Sequence, residues 1–274
     1  MKKDVLIIAQ FLGFESEGIN SRFTYIAKLM HYNDVEIVSS LFNHLKKEFR
    51  TQNLYYENNY KITLIKEPGY KKNVSIKRLY SHYILSKNII KYLKQRKKPD
   101  VIYCAVPSLS VANVVSKYAK NNNIPFIIDI QDLWPEAFKM VFKVPFLKDI
   151  IFFPLQIMAN KVYKRADKVV AVSKTYLDRA LRVNKKDSKG LVVFLGTDLY
   201  KFDEYSRESI VSKPDNEFWV AYIGTLGHSY NIPCVIEAIA IANKKISDKI
   251  KFIVMGDGPL KDVFEKKAQE LGIY

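Results

Sequence analysis

Glu217–Asn231 reads E-F-W-V-A-Y-I-G-T-L-G-H-S-Y-N. Phe218 to Ile223 form a short apolar run rich in β-formers, closed by Gly224-Thr225-Leu226-Gly227, which predicts a buried strand ending in a turn. Asn231 then caps a helix whose first turn tolerates Pro233, with Ile232, Ile236, Ile239 and Ala240 as its apolar stripe. Strand, glycine loop and helix N-terminus together make a phosphate cradle: glycine lets backbone approach an anion, and free N–H groups with the helix dipole attract it. An ordinary tight strand-to-helix turn is the plain alternative. The place of the loop in the chain shifts the balance.

On its C-terminal side, Lys251–Met255 reads as a strand, Gly256-Asp257-Gly258-Pro259 as a turn, and Leu260 to Leu271 as a last helix. On its N-terminal side the same alternation runs back to the start. Val5–Ala9, Val35–Ser39, Lys61–Ile65, Val101–Ala105, Phe126–Asp129, Lys168–Val172 and Leu191–Leu195 are the strands. Between most of them lie helical patterns, so the expected fold is α/β with a parallel, doubly wound sheet. Tyr200 to Asn216 is polar and irregular in composition and reads as a linker. The domains are thus residues 1–200, a linker 201–216, and a partial second domain 217–274.

Ligands in such sheets sit beyond the carboxyl ends of the strands. Asp129 and Asp132 fall at one such end, with Trp134 and Pro135 fixing the loop. A carboxylate there can act as a base, an acceptor anchor or a helix cap. The loop after the first strand carries Gly13 and Gly18 and enters a helix with Ile19, Phe23, Ile26, Ala27 and Met30 on one face. Arg22 sits in the first turn of that helix, the unfavourable end for the macrodipole. That placement suits a charge kept for a ligand, or one held in a surface salt bridge.

The formal charge of +16 points to a polyanionic partner: nucleic acid, an anionic membrane face or phosphorylated substrates. A basic proteome or simple solubility is the competing explanation. The densest basic region, 66–98, interleaves lysines with Ile76, Leu79, Tyr80, Tyr83, Ile90 and Leu93, predicting an amphipathic helix with a cationic face. Segment 142–159 is apolar and Lys-flanked; it either dips into one side of a bilayer or is buried in the domain. No run approaches the ~20 apolar residues needed to span a bilayer, and the N-terminus reads as a strand rather than a signal. Cys104 and Cys234 match no metal or redox spacing and indicate a reducing compartment. No nucleic-acid module signature is present.

Several segments fall in register with a known family: the glycine-bearing loop with Arg22; D-I-Q-D-L-W-P-E at 129–136; A-D-K-V-V-A-V-S at 166–173; L-G-T-D at 195–198 followed by Phe202; Y-I-G-T-L-G at 222–227; and M-G-D-G-P at 255–259. In their order and spacing the chain resembles the glycosyltransferases of the two-Rossmann-domain (GT-B) architecture. The closer likeness is to the large retaining family 4, and within it to bacterial enzymes that build capsule, O-antigen or exopolysaccharide repeats on lipid carriers. Two departures stand out. The second-domain glycine loop lacks the family's Arg and Lys, leaving backbone N–H groups and His228 to serve. The chain also ends before the family's glutamate-containing donor-sugar motif; an ordinary second domain needs roughly another 100 residues. It therefore reads as truncated or split.

The resemblance implies transfer of a sugar, hexosyl or N-acetylhexosaminyl, from a nucleotide-diphosphate sugar to a lipid-linked (polyprenyl diphosphate) or glycan acceptor. It implies no cofactor and no obligatory metal. Gly224, Thr225, Gly227 and His228 would hold the donor phosphates. Asp132, with Asp129 second, would be the catalytic carboxylate. Gly13, Gly18, Arg22, Trp134, Glu136, Ser173 and Thr197 would line the acceptor cleft. The partners expected are the nucleotide sugar, the acceptor and an anionic membrane surface, not nucleic acid; the protein would be cytoplasmic and peripheral on the inner face of the membrane. Two rivals remain: a non-catalytic half of such an enzyme, and a basic membrane- or nucleic-acid-binding protein.

Overall fold

A computed structural model describes the chain except for residues 15–16, 18–20, 53, 58, 74, 142–146, 209–210, 228–229 and 246–248. It divides into two compact units, Met1–Gly196 and Thr197–Tyr274.

The first unit is built on β1 (Asp4–Ile8), followed by α1 (Arg22–Leu29), β2 (Asp34–Ser40), β3 (Phe42–Asn43), β4 (Glu48–Phe49), β5 (Leu54–Glu57) and β6 (Tyr60–Ile65). Then come α2 (Ile76–Gln95), β7 (Val101–Val106), α3 (Leu109–Asn121), β8 (Phe126–Ile130), α4 (Glu136–Val141), α5 (Leu147–Arg165), β9 (Lys168–Ala171), α6 (Lys174–Leu181) and β10 (Leu191–Val192). The sheet runs β10-β9-β8-β7-β1-β2-β6-β5, parallel throughout except for β5 against β6. Strand β1 is central because it is apolar on both faces, as a doubly covered parallel strand must be. Leu6 and Ile8 pack into one core with α2, α3 and α5. Val5 and Ile7 pack into the other, with Phe23 and Ala27 of α1. The parallel strands bring the loops after β1, β7, β8 and β9 to one edge of the sheet, which holds the candidate site.

Helix starts follow local chemistry. Ser21 Oγ accepts from Phe23 N, Ser75 Oγ from Arg78 N and Ser173 Oγ from Tyr176 N, each closing an orphan donor of the first turn. Asp167 Oδ2 likewise accepts from Phe126 N and fastens the start of β8.

The second unit holds α7 (Leu199–Arg207), β11 (Glu217–Ile223), α8 (Ile232–Lys245), β12 (Lys249–Met255) and α9 (Lys261–Glu270). Strands β11 and β12 pair in parallel, and a small core forms from Leu226, Ile232, Ile236 and Phe264.

Four expectations change. The β3–β4 hairpin and antiparallel β5 were invisible as strands, being two residues long or set in the polar 51–60 stretch. The closing strand predicted over 191–195 keeps only Leu191–Val192; Phe194 and Leu195 are exposed. The region read as irregular contains α7, capped by Asp198 on Lys201 N, with no buried residue to give it an apolar stripe. Finally, the first turns of α2 bury polar residues, while Leu85, Ile89 and Leu93 farther along pack into the core. Arg78, Ser81 and His82 are buried, whereas Ile76, Leu79, Tyr80 and Tyr83 are exposed.

Candidate functional site

At the carboxyl edge of the first sheet, Asp129 lies at the end of β8 and is fully buried. Its Oδ2 accepts from Arg22 Nε at 2.7 Å and from Tyr103 Oη at 2.6 Å, while Oδ1 is buried without a partner. Arg22, the first residue of α1, also donates from Nη1 to the Phe194 carbonyl at 3.2 Å. Burial alone would lower the Arg22 pKa, but the hydrogen bond and charge of Asp129 more than reverse this and hold it above its ordinary value. The Tyr103 hydroxyl is pushed upward by burial and by Asp129. Arg22 is thus paired inside the edge of the fold rather than on the open surface expected of a surface salt bridge.

Asp132 is half-buried in the next turn. Its Oδ1 accepts from Leu133 N at 2.8 Å and its Oδ2 from Trp134 Nε1 at 3.0 Å, so it braces the loop that carries the tryptophan. Trp134 is buried; its peptide bond to Pro135 is cis. Arg78 lies over the Trp134 ring at 4.8 Å, and His82 stacks on it at 6.1 Å with the rings 6° from parallel. Phe11 and Tyr70 add further faces to Arg78, at 5.7 and 5.5 Å. Tyr70 Oη meets His44 Nδ1 at 2.7 Å. Below this layer the buried Glu67 accepts from Ser40, Ser81 and Gln10, and Ser108 Oγ donates to Gln10 Oε1. Burial, then the charge of Arg78, depresses the His82 pKa to about 3; burial, then Lys47 and Arg78, depresses that of His44 to about 4. Both imidazoles are therefore neutral near pH 7.

The other predicted cleft residues take different places. Glu136 Oε1 accepts from Arg179 Nε at 2.5 Å, and Arg179 also reaches Asn160 Oδ1 at 2.9 Å. Ser173 caps α6, Gly13 is half-buried after β1, and Thr197 is exposed. Gly18 and His228 lie outside the described residues. Among the described residues no group of three His, Cys, Asp or Glu side chains could hold a metal ion.

In the second unit, the glycine loop is spent on its neighbour. Gly224 N donates to Met255 O at 3.0 Å, Leu226 N to Asp257 O at 2.9 Å, and Gly227 N to Thr225 O at 3.0 Å. The Gly224 and Gly227 amide donors are thus used within the chain. The glycines serve loop-to-loop contact. A Cβ on Gly256 would stand 1.9 Å from Gly224 O, and one on Gly258 2.3 Å from Leu226 O. The N-terminus of α8, an end that attracts anions, follows the loop.

Sequence reasoning missed Gln10, His44, Glu67, Tyr70, Arg78 and His82. The first four sit in loops or at strand ends without periodic signal. For Arg78 and His82 the usable sign was Ser81 beside His82, which makes a polar stripe on α2 as regular as the apolar one.

No protein-family model matches the chain. Over 71 residues it is 38% identical to a Campylobacter jejuni GalNAc-alpha-(1->4)-GalNAc-alpha-(1->3)-diNAcBac-PP-undecaprenol alpha-1,4-N-acetyl-D-galactosaminyltransferase. That match spans 26% of this chain and 19% of the relative's length. Among solved structures, it superposes on Anabaena Alr3699/HepE in complex with UDP with a TM-score of 0.59, at 13% identity, over 100% of this chain and 67% of that one. An alpha,alpha-trehalose-phosphate synthase (UDP-forming) from Burkholderia vietnamiensis gives 0.64 at 8% identity, over 99% and 68%. Arabidopsis thaliana UGT89C1 complexed with UDP-L-rhamnose gives 0.51 at 10%, over 98% and 73%. The fold is therefore of the GT-B type.

Proposed function

We propose that the chain belongs to a glycosyltransferase that moves a sugar from a nucleotide-diphosphate sugar to a lipid-linked or polysaccharide acceptor in cell-surface glycan synthesis. The observation that carries this beyond fold is the 71-residue match, at 38% identity, to a transferase whose name specifies an undecaprenol-diphosphate-linked glycan. UDP or UDP-sugar complexes among the fold neighbours support a nucleotide-sugar donor. Assignment to retaining family 4, and to the capsule or exopolysaccharide subgroup, rests on the motifs quoted above.

In this proposal the first unit takes the acceptor and the second the donor. The leaving diphosphate gains negative charge in the transition state, and the N-terminus of α8 stabilises it. Asp132 orients the acceptor hydroxyl from the loop after β8. Asp129 acts as a positioning residue through Arg22, which covers it. No metal or cofactor enters this proposal; the N-terminus of α8 stands in that role toward the diphosphate.

Attachment to the inner face of an anionic membrane, without nucleic acid as a partner, completes the proposal. No helix among the described residues is long and apolar enough to cross a membrane. Ile76, Leu79, Tyr80 and Tyr83 at the start of α2, and Ile150, Ile151 and Phe153 near the start of α5, are exposed. Helices returning between parallel strands begin at the carboxyl edge of the sheet, so both apolar sets flank the candidate acceptor edge, with Lys72, Lys77 and Lys87 exposed around the first.

A non-catalytic half that pairs with another chain is the second reading, favoured by the two-stranded β11–β12 sheet and its exposed Ile223 and Met255. One experiment separates the two. The protein, alone and co-expressed with the products of adjacent reading frames, is incubated with UDP-, GDP- and dTDP-sugars and polyprenyl-diphosphate-linked glycans, and the lipid fraction is weighed by mass spectrometry. Transfer by the chain alone supports the transferase; transfer only with a second product supports the paired half. No transfer in either case overturns both.

A further inference from the structure

The carboxyl edge of the first sheet holds a buried cation that the fold does not neutralise. Arg78 is 9% exposed and His82 3% exposed, and neither Arg78 Nε nor His82 Nε2 has a hydrogen-bond partner. Both side chains lie against Trp134. Arg78 Nη1 donates to the Asn73 carbonyl at 2.8 Å, and the Tyr70 ring lies against the guanidinium at 5.5 Å. Glu67 and Asp132 act on Arg78 through their charge, yet both spend their oxygens elsewhere: Glu67 on Ser40, Ser81 and Gln10, Asp132 on Leu133 N and Trp134. Among the described residues no ion pair is formed by Arg78. Lys47 stands nearby, 5.1 Å over the Tyr70 ring; its Nζ donates to Asn73 Oδ1 at 2.6 Å and to the His44 carbonyl and lies 3.2 Å from His44 Nδ1, so it adds positive charge rather than a free donor.

A guanidinium taken out of water without a paired carboxylate is costly, and so is an imidazole N–H or lone pair left unmatched. A fold retains such an arrangement where a ligand supplies the missing charge. The unmatched donors, the added lysine and the aromatic walls all favour an anion with several oxygens. Guanidinium and imidazole N–H groups together match phosphate oxygens better than a single carboxylate. Phe11, His44 and Lys47 are each only half-buried and form the approach from solvent.

We infer that Arg78, His82, His44 and Lys47 form a binding site for a phosphate or diphosphate group on the acceptor side of the protein. The acceptor assignment rests on the transferase reading; the anion site does not. A diphosphate joining a lipid to a glycan and the phosphate of a soluble sugar would present the same oxygens here.

The test is calorimetric titration of the full chain with inorganic pyrophosphate. Saturable 1:1 binding is expected, weakened about tenfold or more by Arg78→Met and by His82→Phe, the scale of one lost charge-assisted contact. Arg78 is packed between rings, so Arg78→Lys is measured beside it; this variant keeps the charge and stem but loses Nε–H, and should bind more weakly than the parent while keeping its circular dichroism and Tm. Pyrophosphate binding unchanged in these folded variants, or absent from the parent, overturns the site. Farnesyl diphosphate binding more tightly than pyrophosphate supports the lipid-linked source, and glucose 6-phosphate binding more tightly supports the soluble one. UDP that binds equally well after Arg78→Met belongs to the second unit, so loss of the anion site leaves the transferase reading standing. UDP that displaces pyrophosphate from Arg78 overturns the acceptor assignment.

Discussion

Arg22 Nε lies 2.7 Å from Asp129 Oδ2, tying the first residue of α1 to the end of β8 across 107 positions of chain. The pair is shielded: the Arg22 side chain is 13% exposed and that of Asp129 0%. Tyr103 closes the other side, so one carboxylate oxygen holds two donors from different strands and helices.

Removing one member of a buried pair leaves the other charge without compensation. Asp129→Ala should lower the unfolding free energy by about 3 kcal/mol, at the low end of the usual range because Arg22 keeps some water contact. Tyr103→Phe removes a single bond to a charged acceptor and should cost about 1.5 kcal/mol. Urea titration of both variants checks the ordering; equal losses would show that the carboxylate is no more than a hydrogen-bond acceptor.

Asp132 should separate chemistry from stability. Asp132→Asn keeps an oxygen for Trp134 Nε1 and loses the acceptor for Leu133 N, so the chain should stay folded with a modestly lower Tm, whereas sugar transfer by the complete enzyme should fall about 10²-fold. Undiminished transfer reduces Asp132 to the brace of its loop.

In the second unit two alanines should behave oppositely. Gly258→Ala drives its Cβ onto the Leu226 carbonyl and should destabilise the unit by about 1–3 kcal/mol, as over-packing does. Gly227→Ala meets only Thr225 Cγ2 at 3.7 Å and should be close to neutral. Amide hydrogen exchange over 217–274 reads both.

Acid should weaken the first unit before its carboxylates titrate. His82 is depressed from 6.5 to about 3 in the folded chain, so between those values the unfolded state binds the extra proton. Stability is then complete above pH 6.5 and falls as pH drops below it, by at most about 1.4 kcal/mol per pH unit for this one residue. His82→Gln should make the limb between pH 6.5 and 4 shallower, leaving the share that His44, depressed to about 4, contributes. A slope identical to that of the parent would mean that His82 protonates in place.

Phe152 and Phe153 face opposite ways. Phe152 is buried and stacks on Phe138 at 5.9 Å, whereas Phe153 is 61% exposed. Ile150→Ser/Phe153→Ser should therefore release the protein from anionic vesicles in high salt, where screening leaves mainly the apolar contribution. Phe152→Ser should instead lower Tm. Vesicle sedimentation of the first variant at parental levels would remove α5 from the docking surface.

Much of the first sheet is legible because parallel strands buried on both faces read as unbroken apolar runs, as at Val5–Ile8 and Phe126–Ile128. Asp129 stands out for the same reason, as a carboxylate placed directly after such a run, and Asp132 follows it by three positions. Their partners are not legible. The Arg22–Asp129 pair depends on strand order, which no local pattern encodes. Helix α2 shows a different limit. Periodicity reveals two stripes but not which one turns inward, and here the inward stripe begins with Arg78, Ser81 and His82. The glycines of the second unit were recognisable as a site of close approach; what approaches them is a second loop.

Strand length at the sheet borders has a consequence for handling the protein. The large sheet ends in β10, two residues long, and in antiparallel β5, neither of which offers a neighbour much backbone to pair with. The β11–β12 ribbon is seven residues long on each side, rich in β-branched and aromatic residues, and ends without a further strand among the described residues. Self-templating between molecules should begin there. A lysine placed at Ala221, on the exposed part of β11, should raise the concentration at which the protein remains monodisperse, while leaving the larger sheet untouched.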